Sequence, residues 1–325
     1  PASITKVLTV YIVFDEIKKG RIKLSDDVVI SEKAWRQGID SSESRMFLDI
    51  GSRVKVEDLL HGVITQSGND ASVALAEHVA GSESAFADLM NQYADKLGMK
   101  NSHFANAPGM PDPQHYTTAH DLVILGRALI HDFPEYYDWF SRPDFTYHGI
   151  KQNNRNLMLA MDRSVDGIKT GHTEAAGYCL LSSAKREDRR LIAAVMGTES
   201  QKYRADASLE LLNYGFRFFE TAKLLGASQP AGSARLWKGE RNDVQLGTLE
   251  PVYLTQPRGN TDKIEIKPEV ASHLIAPLAK GQAVGTVSIS VEGKVVKTVP
   301  LVVLADTPAG GFFKRLIDTI RLWFA

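Results

Sequence analysis

Apolar positions in the first third of the chain recur every three to four residues. Val7, Leu8, Val10, Val13, Phe14 and Ile17 predict a helix that opens near Ser3. Val56, Leu59, Leu60, Val63 and Ile64 predict another over 56–65, running into Gln66-Ser67-Gly68-Asn69-Asp70. Helices are also expected over 71–80 and 84–97; the second keeps Phe86, Leu89, Met90, Tyr93 and Leu97 on one face and is stopped by Gly98. Short extended pieces are expected around Val28 and Phe47, and a loop over 106–113, where Pro and Gly cluster. Thr118-Ala119-His120-Asp121 resembles a capping box, with Asp in place of Glu or Gln, ahead of Leu122-Val123-Ile124-Leu125.

From Phe145 the period falls to two. Strands are expected over 145–150, 165–170, 178–184 and 191–196, joined by short turns such as Arg186-Glu187-Asp188, and then a long helix over 202–222. Gly226, Ser228, Pro230, Gly232 and Ser233 read as a linker. Beyond it, alternation in Tyr253-Leu254-Thr255, Ile264-Glu265-Ile266 and Val287 to Val291, with a tight turn at Glu292-Gly293, predicts a small β domain. This order gives an α+β fold with a helical insertion over 1–224, a small β-sandwich-like domain over 225–306, and a terminal segment over 307–325.

That terminal segment is amphipathic. Phe312, Phe313, Leu316, Ile317, Ile320, Trp323 and Phe324 fall within an arc of about 140°, with Lys314, Arg315, Asp318 and Arg321 on the other side and Leu322 the exception. Thirteen residues are too few to span a bilayer but suit lying in its surface. The alternative is a helix packed on the β domain. Its place as an appendage after Pro308-Ala309-Gly310-Gly311 favours the membrane.

Composition narrows the function. The chain has 325 residues, 43% hydrophobic and 24% charged, as in an ordinary globular protein of two domains. A net charge of −1 argues against nucleic acid as a partner. The single cysteine, Cys179, forbids an intrachain disulfide and reads as a buried strand position. No run of 18 apolar residues occurs. The chain begins without Met, two residues before a candidate nucleophile, as expected of a fragment lacking its precursor start.

That nucleophile is Ser3 in Ser3-Ile4-Thr5-Lys6. Positions i and i+3 share a helix face, so Lys6 is placed to be the base that a serine needs. A lysine fills that role only with a lowered pKa, from burial or nearby positive charge. The pattern alone is weak, and an N-cap serine with a surface lysine is the commoner reading of such a pair. Two further motifs strengthen it: Ser67-Gly68-Asn69 at a helix junction, and Lys169-Thr170-Gly171 at a strand end, where glycine permits close approach. The order Ser-x-x-Lys, Ser-x-Asn, Lys-Thr-Gly is that of penicillin-binding proteins and class A β-lactamases.

With these motifs the sequence resembles the low-molecular-mass D-alanyl-D-alanine carboxypeptidases of the penicillin-binding protein 5 and 6 type. The resemblance extends to Leu60 through Ala71, to Val165 through Thr173, to Tyr214 through Glu220, to Val252 through Thr255, to Pro257-Arg258-Gly259 and to the closing helix. It implies Ser3 as nucleophile, Lys6 as base, Ser67 as proton relay and Asn69 as the group holding Lys6 and substrate. Lys169, Thr170, Gly171, His172 and Thr173 form the substrate-binding strand by the same resemblance, with the backbone N–H groups of Ser3 and His172 as oxyanion hole. It further implies the peptidoglycan pentapeptide stem as substrate, β-lactam antibiotics as inhibitors, no cofactor or metal, and a location on the periplasmic face of the bacterial inner membrane, held through 312–324. Two departures stand out: two strands that family members carry before the nucleophile are missing, and Gly197-Thr198-Glu199 lacks the arginine some members have there.

A class A β-lactamase would want a deacylating glutamate between the second and third motifs. The similar string Glu210-Leu211-Leu212-Asn213 follows the third motif and reads as helix packing. A non-catalytic wall-binding scaffold is the other alternative. No Gly-x-Ser-x-Gly and no His-Glu-x-x-His occurs, which speaks against other serine hydrolases and zinc peptidases.

Overall fold

A computed structural model describes residues 1–39, 43–259, 263–270 and 272–324. The chain divides into two compact units, Pro1–Gly215 and Phe216–Ala325; Ala325 itself lies outside the described residues.

The first unit is built around the helix Lys6–Lys18. Its residues from Lys6 through Phe14 are all buried, including Thr9. A helix apolar almost all round has no face for water and becomes a core element. The helices Asn69–Ala80, Glu83–Leu97 and Ala119–Asp132 share a hydrophobic core with it. Three antiparallel strands, Val165–Thr173, Gly177–Arg186 and Arg189–Thr198, lie in that order in one sheet. Gly126 brings the helix Ala119–Asp132 down onto this sheet, since a Cβ there would lie 3.0 Å from Ile168 and 3.3 Å from Leu181. Helix starts follow their capping residues: Ser82 accepts from Ala85 N, and Thr118 from Asp121 N. The expected capping box is not closed, because the Asp121 carboxylate is turned to Asn101 N and Ser102 Oγ at 2.8 and 2.7 Å. The helix expected over 56–65 is α-helical only over Val56–His61; Gly62–Gln66 is a wider, π-type turn.

The long helix ends earlier than its sequence suggests, at Phe218 rather than 222. Phe219–Leu225 is instead a strand paired antiparallel with Val252–Pro257. Glu, Ala, Lys and Leu in this stretch favour a helix, and strand pairing overrides that preference. The presumed linker is also structured: Pro230–Trp237 pairs with Asp243–Gly247. These belong to the second unit, a mainly β body whose main sheet has six strands among the described residues. Leu236, Val244, Leu246, Val287, Leu301 and Val303 form its core. The strands Ala283–Val291 and Lys294–Val303 are joined at Glu292-Gly293, both at positive φ, as a two-residue hairpin requires.

The terminal helix, Phe312–Leu322, docks by its polar side. The Asp318 carboxylate is 3% exposed and accepts from Lys238 N at 2.7 Å, while Lys314 bonds Asn242. Phe312, Phe313, Trp323 and Phe324 are each at least three-quarters exposed, and Leu316, Ile317 and Ile320 about half. The apolar stripe therefore does not pack on the β body. No described helix is long and apolar enough to cross a membrane.

Candidate active site

Ser3 lies on a 3-10 turn, Ala2–Thr5, that leads into the central helix. Lys6, the first α-helical residue, is 1% exposed. Its Nζ lies 2.9 Å from Ser3 Oγ, 2.7 Å from Asn69 Oδ1 and 2.6 Å from Pro108 O. Burial pushes the Lys6 amine well below the usual lysine range, and the positive charges of Lys169 and Arg155 push it further, against Asp70 and Glu43. A neutral amine keeps two donors for Asn69 and Pro108 and one lone pair for the Ser3 hydroxyl proton. Two acceptors and one hydroxyl around one nitrogen thus suit a base waiting beside its serine.

The second motif is held by its own backbone. Ser67 is in the left-handed conformation, with φ 62°, between the π-type turn and the helix Asn69–Ala80, and is 2% exposed. Gly68 leaves no room for a side chain, since a Cβ would meet Asp70 Oδ1 at 3.0 Å and Met46 N at 3.1 Å. Asp70 is fully buried and accepts from Met46 N and Leu48 N, while Asn69 N donates to Ser44 O. These bonds tie residues 44–48 to the motif.

The third motif lies on the edge strand Val165–Thr173. Lys169 is 4% exposed, and burial, Arg155 and Arg204 bring its amine down to about 7. Gly171 lines the cleft and also serves a packing purpose: a Cβ there would meet Pro1 O at 2.7 Å and Ile4 Cγ1 at 3.2 Å. Its missing side chain seats the strand against the nucleophile's turn. His172 is exposed and stacks on Tyr178 at 4.0 Å. Thr173 Oγ1 accepts from Ala176 N and so closes the strand's turn.

Ser3, Ser67, Asn69, Thr170, Gly171, His172 and Thr173 line a single cavity of about 420 Å³. Lys6 and Lys169 sit buried around it, coupled to one another by charge. Seven of the nine residues singled out in the sequence therefore line one cleft, and Lys6 bonds two of them, Ser3 and Asn69.

Three contributors escaped the sequence reading. Arg155 lines the cleft. So does Arg204, from the first turn of the helix Gln201–Phe218, 3% exposed, with Nη1 donating to Gly171 O at 3.4 Å. Its Nε has no hydrogen-bond partner among the described residues. An arginine thus reaches the cleft from five residues past Gly197-Thr198-Glu199. Its signal was available: Arg204 is in register with the buried Ser208 and Leu212, an arginine on a core face. Third, the loop read only as a loop presses on the nucleophile. Gly109, at φ 84°, would bring a Cβ within 1.9 Å of Ala2 O; Asn106 Oδ1 accepts from the N–H groups of Gly109 and Met110. Glu210 is exposed and does not line the cleft, which leaves it as helix surface.

A half-buried serine 2.9 Å from a buried lysine, beside a Lys-Thr-Gly edge strand, is an arrangement suited to a serine hydrolase. Residues 1–200 match the family model of the D-alanyl-D-alanine carboxypeptidase peptidases, and residues 219–309 that of the penicillin-binding protein 5 C-terminal domain. The chain is 43% identical to D-alanyl-D-alanine carboxypeptidase DacA of Escherichia coli strain K12, over 100% of this chain and 81% of that protein. Crystal structures of penicillin-binding protein 5 from Haemophilus influenzae superpose with a TM-score of 0.86 at 42% identity, covering 95% of this chain and 90% of that one. Penicillin-binding protein 6B from Escherichia coli gives 0.73 at 37%, covering 93% and 87%. The chain belongs to the D-alanyl-D-alanine carboxypeptidase family, and its activity is that of a serine-type carboxypeptidase of that class.

Proposed function

We propose that this protein removes the terminal D-alanine from peptidoglycan pentapeptide stems, with Ser3 as nucleophile, on the periplasmic face of the bacterial inner membrane. The neutral Lys6 amine takes the Ser3 proton as Oγ attacks the carbonyl between the two D-alanines. The backbone N–H groups of Ser3 and His172 receive the oxyanion, a contribution of about 3 kcal/mol per donor. The C–N bond breaks as Ser67 relays a proton to the departing amine. Water then hydrolyses the ester with Lys6 again as base. Asn69 holds Lys6 through Oδ1 and meets the substrate amide with Nδ2. Lys169, Thr170 and Thr173 take the terminal carboxylate, and the buried Arg204 beside them adds a second cation to that end.

The observation that carries this reading is the desolvated Lys6 amine 2.9 Å from Ser3 Oγ, within charge range of Lys169. β-Lactams enter as mimics of the same peptide end and acylate Ser3. Among the described residues no glutamate between the second and third motifs lines the cleft, so the penicilloyl ester persists and they act as inhibitors. The location rests on the exposed apolar stripe of Phe312–Leu322 and the residues after it, whose burial in a membrane surface is worth about 5–10 kcal/mol gross.

D-Alanine release from a synthetic pentapeptide ending in D-Ala-D-Ala tests the activity. Release is expected with the unaltered protein and none with Ser3→Ala; equal release by both overturns the assignment.

A further inference from the structure

Glu43 places a carboxylate in the cleft that none of the steps above uses. It lines the cavity beside Ser44, Ser67 and Asn69. Its Oε2 accepts from Asn69 Nδ2 at 3.2 Å, and the other end of that amide takes Lys6 at 2.7 Å. The backbone next to Glu43 is fixed, since Ser44 O accepts from Asn69 N at 2.9 Å and Met46 N donates to Asp70 at 2.8 Å. The carboxylate is therefore a placed feature of the wall.

The cleft holds both signs: Arg155, Arg204, Glu43 and Glu174 all line it, and Glu43 is one of two carboxylates that oppose Lys169 and Arg155 at the Lys6 amine. With its terminal carboxylate at Lys169, the rest of a bound peptide lies in a cleft whose wall includes Asn69 and the Glu43 carboxylate. In a peptidoglycan stem the residue before the acyl D-alanine is a diamino acid, whose side chain ends in an amine.

Resting on the carboxypeptidase reading, we propose that Glu43 is a specificity residue: it pairs with the free side-chain ammonium of that diamino acid, so the enzyme prefers stems whose amine is free over stems whose amine is acylated. An exposed or half-exposed ion pair of this kind is worth a preference of about three- to fivefold.

The test compares kcat/KM for two pentapeptides that differ only in acetylation of the lysine side chain at the third position. The unaltered protein is expected to favour the free amine about three- to fivefold, less so with added salt. Glu43→Gln should bring the ratio towards one, and Glu43→Lys should reverse it. No preference in the unaltered protein, a preference unmoved by salt, or one that persists in Glu43→Gln overturns the proposal, and the first two need no variant to fold. Release of D-alanine from neither peptide removes the carboxypeptidase reading and this inference with it; equal release from both overturns Glu43 alone.

Discussion

Lys6 Nζ stands 2.9 Å from Ser3 Oγ, and the lysine that carries it is sealed from water. The pair works only if the amine sheds its proton. Lys6→Arg keeps the charge and cannot shed it, since a guanidinium stays protonated. Labelling by a fluorescent penicillin should slow by about 10²–10⁴-fold. Raising the pH should not restore it, whereas the unaltered enzyme should label faster as pH climbs through the lowered Lys6 pKa. Stopped-flow or gel-based labelling rates decide this.

Lys169 sets the opposite limb. Its amine is brought down to about 7, so the charge that meets a substrate carboxylate is present below that pH and is lost above it. The kcat/KM for carboxylate-ended peptides should therefore fall as pH rises past about 7. A bound carboxylate holds the proton on, so kcat should fall only at higher pH. Lys169→Arg should move the falling limb of kcat/KM upward. A pH profile with the same limb in both proteins would assign the limb elsewhere.

Gly109→Ala strikes the nucleophile indirectly. The position has φ 84°, and an added Cβ would lie 1.9 Å from Ala2 O and 2.7 Å from Thr5 Oγ1. Strain and clash together should cost about 2–5 kcal/mol. The expected result is a lower melting temperature and slower acylation; a protein melting like the original would show that the loop does not clamp the turn.

The terminal helix makes a separate prediction. Co-sedimentation with vesicles containing anionic lipid should retain the unaltered protein. Replacing Phe313, Ile317 and Ile320 together with serine removes three exposed apolar side chains and leaves the buried Asp318 in place. Binding should drop by at least tenfold. Equal binding by both would place the membrane contact elsewhere.

Much of the site was legible because its chemistry needs particular residues at short range. A serine and lysine one turn apart, a Ser-Gly-Asn junction and a Lys-Thr-Gly strand are each confined to a few positions by the backbone. Arg155 was not legible, and Arg204 was legible only as an arginine on a helix's core face, because the fold alone brings them to Lys169. The contact of Gly109 with Ala2 is similarly invisible in a string that reads as any Pro-Gly loop. The end of the long helix was misread because residues 219–225 carry helix-favouring side chains, and only their partner strand Val252–Pro257 shows otherwise. The Gly- and Ser-rich stretch before Ala234 reads as a linker until Asp243–Gly247 pairs with it.

Intact mass after incubation with benzylpenicillin, followed by peptide mapping, tests the central claim most directly. One penicilloyl group per chain is expected, on the peptide holding Ser3, and its mass should persist after excess antibiotic is removed. An unmodified protein, an adduct on another residue, or rapid return to the original mass with repeated turnover would contradict the account.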